Sequence, residues 1–318
     1  MLYLFLESGE TGQHAAEQGV KKVSTENPKR EHPGTYLVRD RFTPQEHERI
    51  RLQDEMLTLM MGGVLPEQPN PTLFREVLDV GCGCGSWLIE MAKTYPHMTR
   101  LVGVDASRTI IEYAQAQAEA AGVADRVEFH VMDALRLLEF PDDSFDLVNQ
   151  RLGSSYIRSW EWPNVLLKYQ RVVRPQGTIR ISECDIVQGN SPAFTQLSDI
   201  FLTTLFKAGH LKTQQKNDVI DMLPTLFTVQ GCQHVQTYLH SLRYPAGTRA
   251  REFFVEDMKY IFHDFVPFFR KWMRLPDNYE EIYQQALVEI QQPDFVGSWN
   301  FLTVWGNPPI SKVRTRNR

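Results

Sequence analysis

The sequence predicts an α/β protein built on a mostly parallel sheet with helices on both faces. Three observations predict it. From Val77 onward, short apolar runs alternate with helical stretches, and that alternation implies right-handed crossovers and a parallel sheet. The first run leads into a glycine-rich loop, VLDVGCGCGSW at 77–87, which sets tight backbone at the start of a helix. Polar residues then close successive strands, at Asp105, Asp133 and Asn149. Ligands on such sheets sit at the carboxyl ends of the strands, so the loop and these side chains should converge on one site.

The elements follow in order. Residues 1–34 are polar and lack apolar periodicity, so they are expected to form a flexible arm. FTPQEHERIRLQDEMLTLMMGG then reads as a helix. Thr43 is its N-cap, Pro44 suits the first turn and Glu46 completes a capping box. Ile50, Leu57 and Met61 share one face, and Gly62–Gly63 stop the helix. Residues 35–70 thus form a helical segment with its linker. Residues 71–185 hold the alternating core, with strands VLDV, LVGVD, RVEFHVMDA, FDLVNQ and TIRISE. The helices between them begin at SWLIEMAKTYP, SRTIIEYAQAQAEAAG and WPNVLLKYQRVVRPQG. Residues 186–230 are helical and apolar, an inserted cap. Residues 231–309 supply strand HVQTYLHSLRY, a long aromatic helix bent at Pro267, a further helix and the final strand SWNFLTVWG. Residues 310–318 are a basic tail, expected to be disordered.

Composition narrows the function classes. Hydrophobic content of 42% and charged content of 23% describe a globular chain with a core. A net charge of −5 argues against a dedicated nucleic-acid binder. No apolar run approaches the roughly 20 residues needed to span a bilayer. The start, MLYLFLESGE, lacks a basic n-region and a long apolar h-region, so no signal peptide is read and a cytoplasmic location is expected. The four cysteines, Cys82, Cys84, Cys184 and Cys232, are then expected as thiols.

The glycine loop discriminates between ligands. A dinucleotide loop needs G-x-G-x-x-G, but counting from Gly81 the third place is Ser86. A phosphate-binding G-K-[ST] is absent. Cys82 and Cys84 have no matching pair with metal-ligand spacing, so no metal is expected. The pattern is acid-x-G-x-G-x-G: Asp79, Gly81, Gly83, Gly85. An acid beside the loop repels a pyrophosphate and attracts a cationic amino-acid head.

On these residues the stretch resembles the glycine-rich motif of class I S-adenosylmethionine-dependent methyltransferases. The similarity continues in register with GVDAS at Asp105, VMDA at Asp133, FPDDSFDLV and RVVRPQGTIRISE, and covers about residues 74–184. The resemblance implies a Rossmann-like, seven-stranded, mostly parallel sheet with an antiparallel last strand. It implies S-adenosylmethionine as cofactor and S-adenosylhomocysteine as product. Asp79 and the three glycines would face the methionine part, and Asp105, with Ala106 beside it, the ribose. Met132, Asp133 and Ala134 would hold the adenine, and Asn149 and Gln150 would contact the methionine moiety. Residues 35–70 would act as a lid, with Tyr36 folded over the cofactor.

Asp142, Asp143 and Asp146 read as turn residues. Four groups are candidates for a general base: His210, His263, Glu183 and Asp185. The plainer reading of either histidine is an exposed or satisfied side chain. In-line transfer rests mainly on positioning, so a base is not obligatory. The aromatic helix, with Phe254, Met258, Ile261, Phe265, Phe268, Phe269 and Trp272, reads mostly as core but suits a hydrophobic or aromatic acceptor. The leading expectation is a small-molecule methyltransferase of the quinone-biosynthesis-like or secondary-metabolite type, with O, N or C as target and oligomeric state open. Three alternatives stand beside it. A macromolecular methyltransferase acting on nucleic-acid amino groups would carry Asn/Asp-Pro-Pro-aromatic after strand four, where this chain reads NQRL. A cofactor-binding regulator without turnover would keep the same motifs. A nicotinamide dehydrogenase is disfavoured by the glycine spacing.

Overall fold

The computed structural model describes residues 44–310. The expected arm, Thr43, Tyr36 and the basic tail from 311 onward lie outside the described residues.

Helix α1 (Pro44–Met60) comes first. The core alternates as expected: β1 (Glu76–Val80), α2 (Ser86–Thr94), β2 (Arg100–Asp105), α3 (Arg108–Ala120), β3 (Val127–Val131), β4 (Phe145–Arg151), α4 (Trp162–Val172) and β5 (Val173–Cys184). The sequence explains the boundaries. Ser107 accepts a hydrogen bond from the Ile110 amide and so caps α3. Helix α2 ends two residues before Pro96, which cannot continue a helix. A two-residue strand β6 (Gln188–Gly189) follows, then α5 (Pro192–Lys207), α6 (Asp218–Val229), β7 (Gln233–Arg243), α7 (Arg249–Asp264), α8 (Val266–Trp272), α9 (Tyr279–Glu289) and β8 (Gly297–Asn307).

The long strands run in the order β3-β2-β1-β4-β5-β8-β7. The first five pair in parallel, and β8 enters antiparallel between β5 and β7. Seven strands were expected, and seven long ones form among the described residues. The additional β6 pairs with β8 at Ser298 and Gly297, extending the β5–β8 ladder. Central strands β1 and β4 are almost wholly buried, which explains their continuous apolar runs.

One expected element differs. The aromatic segment is two helices rather than one bent helix, and the break falls at Phe265, before the proline. Pro267 occupies the first turn of α8, where a missing N–H costs nothing, whereas inside a continued α7 it would have lost a helical bond. The helices pack on the sheet through an aromatic cluster in which Phe194 meets Phe254, Phe262 and Phe295.

Candidate active site

A cavity of about 190 Å³ opens at the carboxyl ends of the strands. Its polar wall comes from the core. Asp79 is the last residue but one of β1, Gly81 and Gly83 form the loop, and Asp105 ends β2. Gly81 has φ +71, and a Cβ there would lie 2.6 Å from the Tyr156 hydroxyl oxygen. Position 81 therefore has no room for a side chain. Gly85 is left-handed at the N-cap of α2, and a Cβ there would lie 2.4 Å from Phe129. It serves helix-to-sheet packing and does not line the cavity.

Asp79 is only 4% exposed. Its Oδ1 accepts a 2.7 Å bond from the Asn149 side-chain amide. Asn149 in turn accepts from Arg180 at 2.7 Å, and Arg180 pairs with Glu67 at 2.7 Å. Asn149 is fully buried and stands behind Asp79, outside the cavity lining. Burial pushes the Asp79 carboxyl up to about 7, against the pull of the Arg151 guanidinium. Arg151 also lines the cavity and pairs with Asp54 of α1, itself raised by burial. Asp105 accepts from the Ser107 amide at 2.9 Å, which fixes its carboxylate at the strand end.

The segment around Met132, Asp133 and Ala134 is tied to that strand end, because the Met132 amide donates to the Asp105 carbonyl at 2.9 Å. Asp133 accepts from the Leu135 amide at 3.0 Å. These three residues and the exposed Ala106 flank the cavity without lining it. Gln150 is buried away from the cavity, donating to Glu183 at 2.7 Å.

The four base candidates separate. Glu183 is buried beneath the β4–α4 loop and accepts from the amides of Gly153 and Ser154 at 2.5 and 3.2 Å. Burial raises its carboxyl to about 7, but it anchors that loop and does not line the cavity. His263 is 68% exposed on α7, beside Asp264 at 2.7 Å, and lies outside the cavity. Asp185 lines the cavity with both oxygens engaged by Asn300, and burial raises it. His210 also lines the cavity, is 1% exposed and is lowered to about 4, by burial first and then by Arg158.

The opposite wall is apolar, with Phe201 and Leu205 of α5, Leu211, Val219, Ile261 and Phe265. Ile50, Gln53 and Leu57 of α1 cover the remaining side, and Ile50 stands against Gly83. Arg49 and Gln53 both bond to the buried Asp257 of α7, tying this cover to the apolar half.

Residues 77–177 match the profile of a methyltransferase domain. Over that stretch the chain resembles a methyltransferase domain. The chain is 36% identical over 137 residues to the 27-O-demethylrifamycin SV methyltransferase of Amycolatopsis mediterranei, covering 43% of this chain and 46% of that one. It is 30% identical over 167 residues to the methyltransferase GfsG of Streptomyces halstedii, covering 52% and 56%. The chain thus spans about half the length of these curated relatives. Its fold resembles that of Haemonchus contortus phosphoethanolamine N-methyltransferase 2, solved with S-adenosyl-L-methionine. The TM-score is 0.51 at 18% identity, covering 85% of this chain and 58% of that one. No cluster of metal-ligating side chains occurs among the described residues, and no described helix is long and apolar enough to cross a membrane.

Several site residues escaped the sequence reading: Gln53, Asp54, Arg151, Tyr156 and the Arg180–Glu67 pair. Two had a signal. Asp54 lies on the apolar face of α1 with Ile50, Leu57 and Met61, and Arg180 interrupts the apolar run of a central strand. A charge in either place requires a buried partner.

Proposed function

We propose that this protein transfers the methyl group of S-adenosylmethionine to a small, apolar or aromatic acceptor. One observation carries the reading: a single cavity joins the carboxylates and glycine loop of the methyltransferase domain to an apolar wall built by the inserted and C-terminal helices. The donor set fits the cofactor. Asp79 would face its ammonium group, Asp105 its ribose hydroxyls, and the Gly81–Gly83 backbone would lie against the methionine part. Ala106, Met132, Asp133 and Ala134 would frame the adenine. Asn149 would act through Asp79 by holding its carboxylate, and Gln150 through Glu183. When bound, S-adenosylmethionine supplies an electrophilic methyl on a sulfonium. The chain's own part is to orient the acceptor and exclude water, so that proximity and alignment do most of the work.

The net charge of −5 supports a small-molecule rather than a nucleic-acid acceptor. The four free thiols suit a cytoplasmic setting. Residues 186–230 act in this reading as the cap that selects the acceptor, and α1 as the lid.

The test is calorimetric titration with S-adenosylmethionine, S-adenosylhomocysteine and NAD. The expected outcome is micromolar binding of the sulfur ligands and none of NAD. Asp105→Ala should weaken that binding by about 100-fold, the scale of losing charge-assisted hydrogen bonds. A folded protein that binds neither sulfur ligand would overturn the reading.

A further inference from the structure

Three segments meet beside the apolar half of the cavity: the β4–α4 loop, the end of α5 and the end of α8. The Ser159 amide donates to the Gly209 carbonyl at 2.8 Å, and the Arg158 guanidinium donates to the Ala208 carbonyl. Trp160 lies over Gly209 so closely that a Cβ there would be 2.4 Å from its indole. The Arg158 guanidinium is 5.6 Å from the centre of the Trp160 ring and 5.7 Å from that of Trp272. The Lys271 ammonium is 5.4 Å from the Trp272 ring. Phe206 joins the same turn, its carbonyl accepting from the Gly209 amide at 3.0 Å.

The make-up of this face departs from that of the whole chain. Among the described residues three Phe, Tyr or Trp side chains are exposed: Trp160 at 62%, Tyr238 at 52% and Phe206 at 38%. Two of the three stand here. Residues 157–162, 205–212 and 266–273 carry five cations, Arg158, Lys207, Lys212, Arg270 and Lys271, against one acid, Glu161. The chain as a whole carries −5. Single exposed apolar side chains are ordinary. Exposed aromatic rings set among long cationic stems are the composition that settles at a boundary between water and hydrocarbon. There the rings take the apolar side, and Lys and Arg stems reach back to phosphates. A nucleic acid needs a wider basic track than this small patch on an acidic chain provides.

We propose that this face docks on the surface of a membrane that contains anionic lipid, with Trp160 and Phe206 in the headgroup layer and Lys207 and Lys271 on lipid phosphates. The attachment is peripheral, and it goes beyond methyl transfer without depending on it. It also has a consequence for that reading. Leu205 and Leu211, on either side of the exposed turn, line the cavity. A protein held by this face keeps the apolar wall of its cavity beside the phase in which apolar compounds concentrate.

The test is co-sedimentation of the full chain with two kinds of vesicle, phosphatidylcholine alone and phosphatidylcholine mixed with phosphatidylglycerol in equal parts. The expected result is binding to the mixed vesicles that weakens as salt is added, and little binding to the neutral ones. Lys207→Gln combined with Lys271→Gln should weaken binding by about 25-fold, at roughly fivefold per cation near a charged surface. Trp160→Ala should weaken it by about tenfold, through the apolar area withdrawn from the interface. Brominated acyl chains should quench tryptophan fluorescence in wild type, and less in Trp160→Ala. None of the three side chains lines the cavity, so S-adenosylhomocysteine affinity and the urea midpoint should match wild type, which shows that the variants are folded. Failure of wild type to sediment with the mixed vesicles overturns the proposal. So does equal binding by wild type and the variants, because the attachment then resides elsewhere, as in the apolar start or the basic end of the chain. Capture by an oligonucleotide as tight as by vesicles, with no quenching by bromine, also overturns it and points to a general attraction for polyanions.

Discussion

The two walls of the cavity are built from different interactions. On the strand-end wall, Asp79, Asn149, Arg180 and Glu67 form a buried polar chain in which each link is a hydrogen bond of 2.7 Å. On the facing wall, Phe201, Leu205 and Phe265 present only hydrocarbon, backed by ring-on-ring packing of Phe201 with Phe262, Phe265 and Phe269. Polar groups held this way have one good arrangement, because a half-satisfied buried network is costly. Apolar side chains of similar volume can be exchanged at modest cost. The first wall is therefore suited to one fixed ligand, and the second tolerates a change of ligand shape.

The largest break in this contrast is expected from Arg180→Leu. It leaves Glu67 charged and unpaired in the interior and frees the Asn149 amide that steadies Asp79. Loss of one partner of a buried pair costs about 3–5 kcal/mol, and urea unfolding should show it together with weakened S-adenosylhomocysteine binding. On the other wall, Phe265→Ala should cost about 2–3 kcal/mol. That is below the usual phenylalanine range, because one side of the ring already faces the cavity. Cofactor affinity should stay within about twofold in the same titration. Equal loss of cofactor affinity in both variants would erase the distinction between the walls.

The third effect concerns pH. The folded Asp79 carboxyl titrates at about 7, above its ordinary 3.8. Between these values the folded state holds a proton that the unfolded chain has released. The Asp79 contribution to stability therefore falls as pH rises from about 4 to 7, by at most about 1.4 kcal/mol per pH unit. Glu183 acts in the same sense. His210, lowered to about 4 from 6.5, acts in the opposite one, since the unfolded chain binds the extra proton across that window. Asp79→Asn should make the ligand-free protein relatively more stable at pH 7 than at pH 5, compared with wild type. Thermal unfolding at the two pH values measures it.

The polar wall was the more legible in sequence, for a physical reason. Asp79, the loop glycines and Asp105 are fixed by local geometry: a strand, a turn with positive φ, a helix start. Their spacing is the signal. Asn149 was legible as a strand-end residue, but its position behind Asp79 depends on the register that sets it beside β1. Glu183 looked like an active-face acid, yet the β4–α4 loop folds over it and claims its oxygens. The apolar wall was legible only as apolar. Which face of α7 reaches the cavity depends on how α5, α7 and α8 pack, and no short pattern encodes that. His210 and His263 were equivalent candidates on paper. Tertiary packing alone sends one into the cavity and the other to the surface.

The position of β8 bears on how the site comes into being during synthesis. It is the last strand described, yet it lies inside the sheet, between β5 and β7. The cavity draws on residues from Arg49 to Trp299. A nascent chain that has emerged only as far as α9 has β5 and β7 waiting with unpaired edges and no Trp299 to close the cavity. The ribosome must release nearly the whole described length before the cavity lining is complete. Until then those unpaired edges are open to mispairing with other chains.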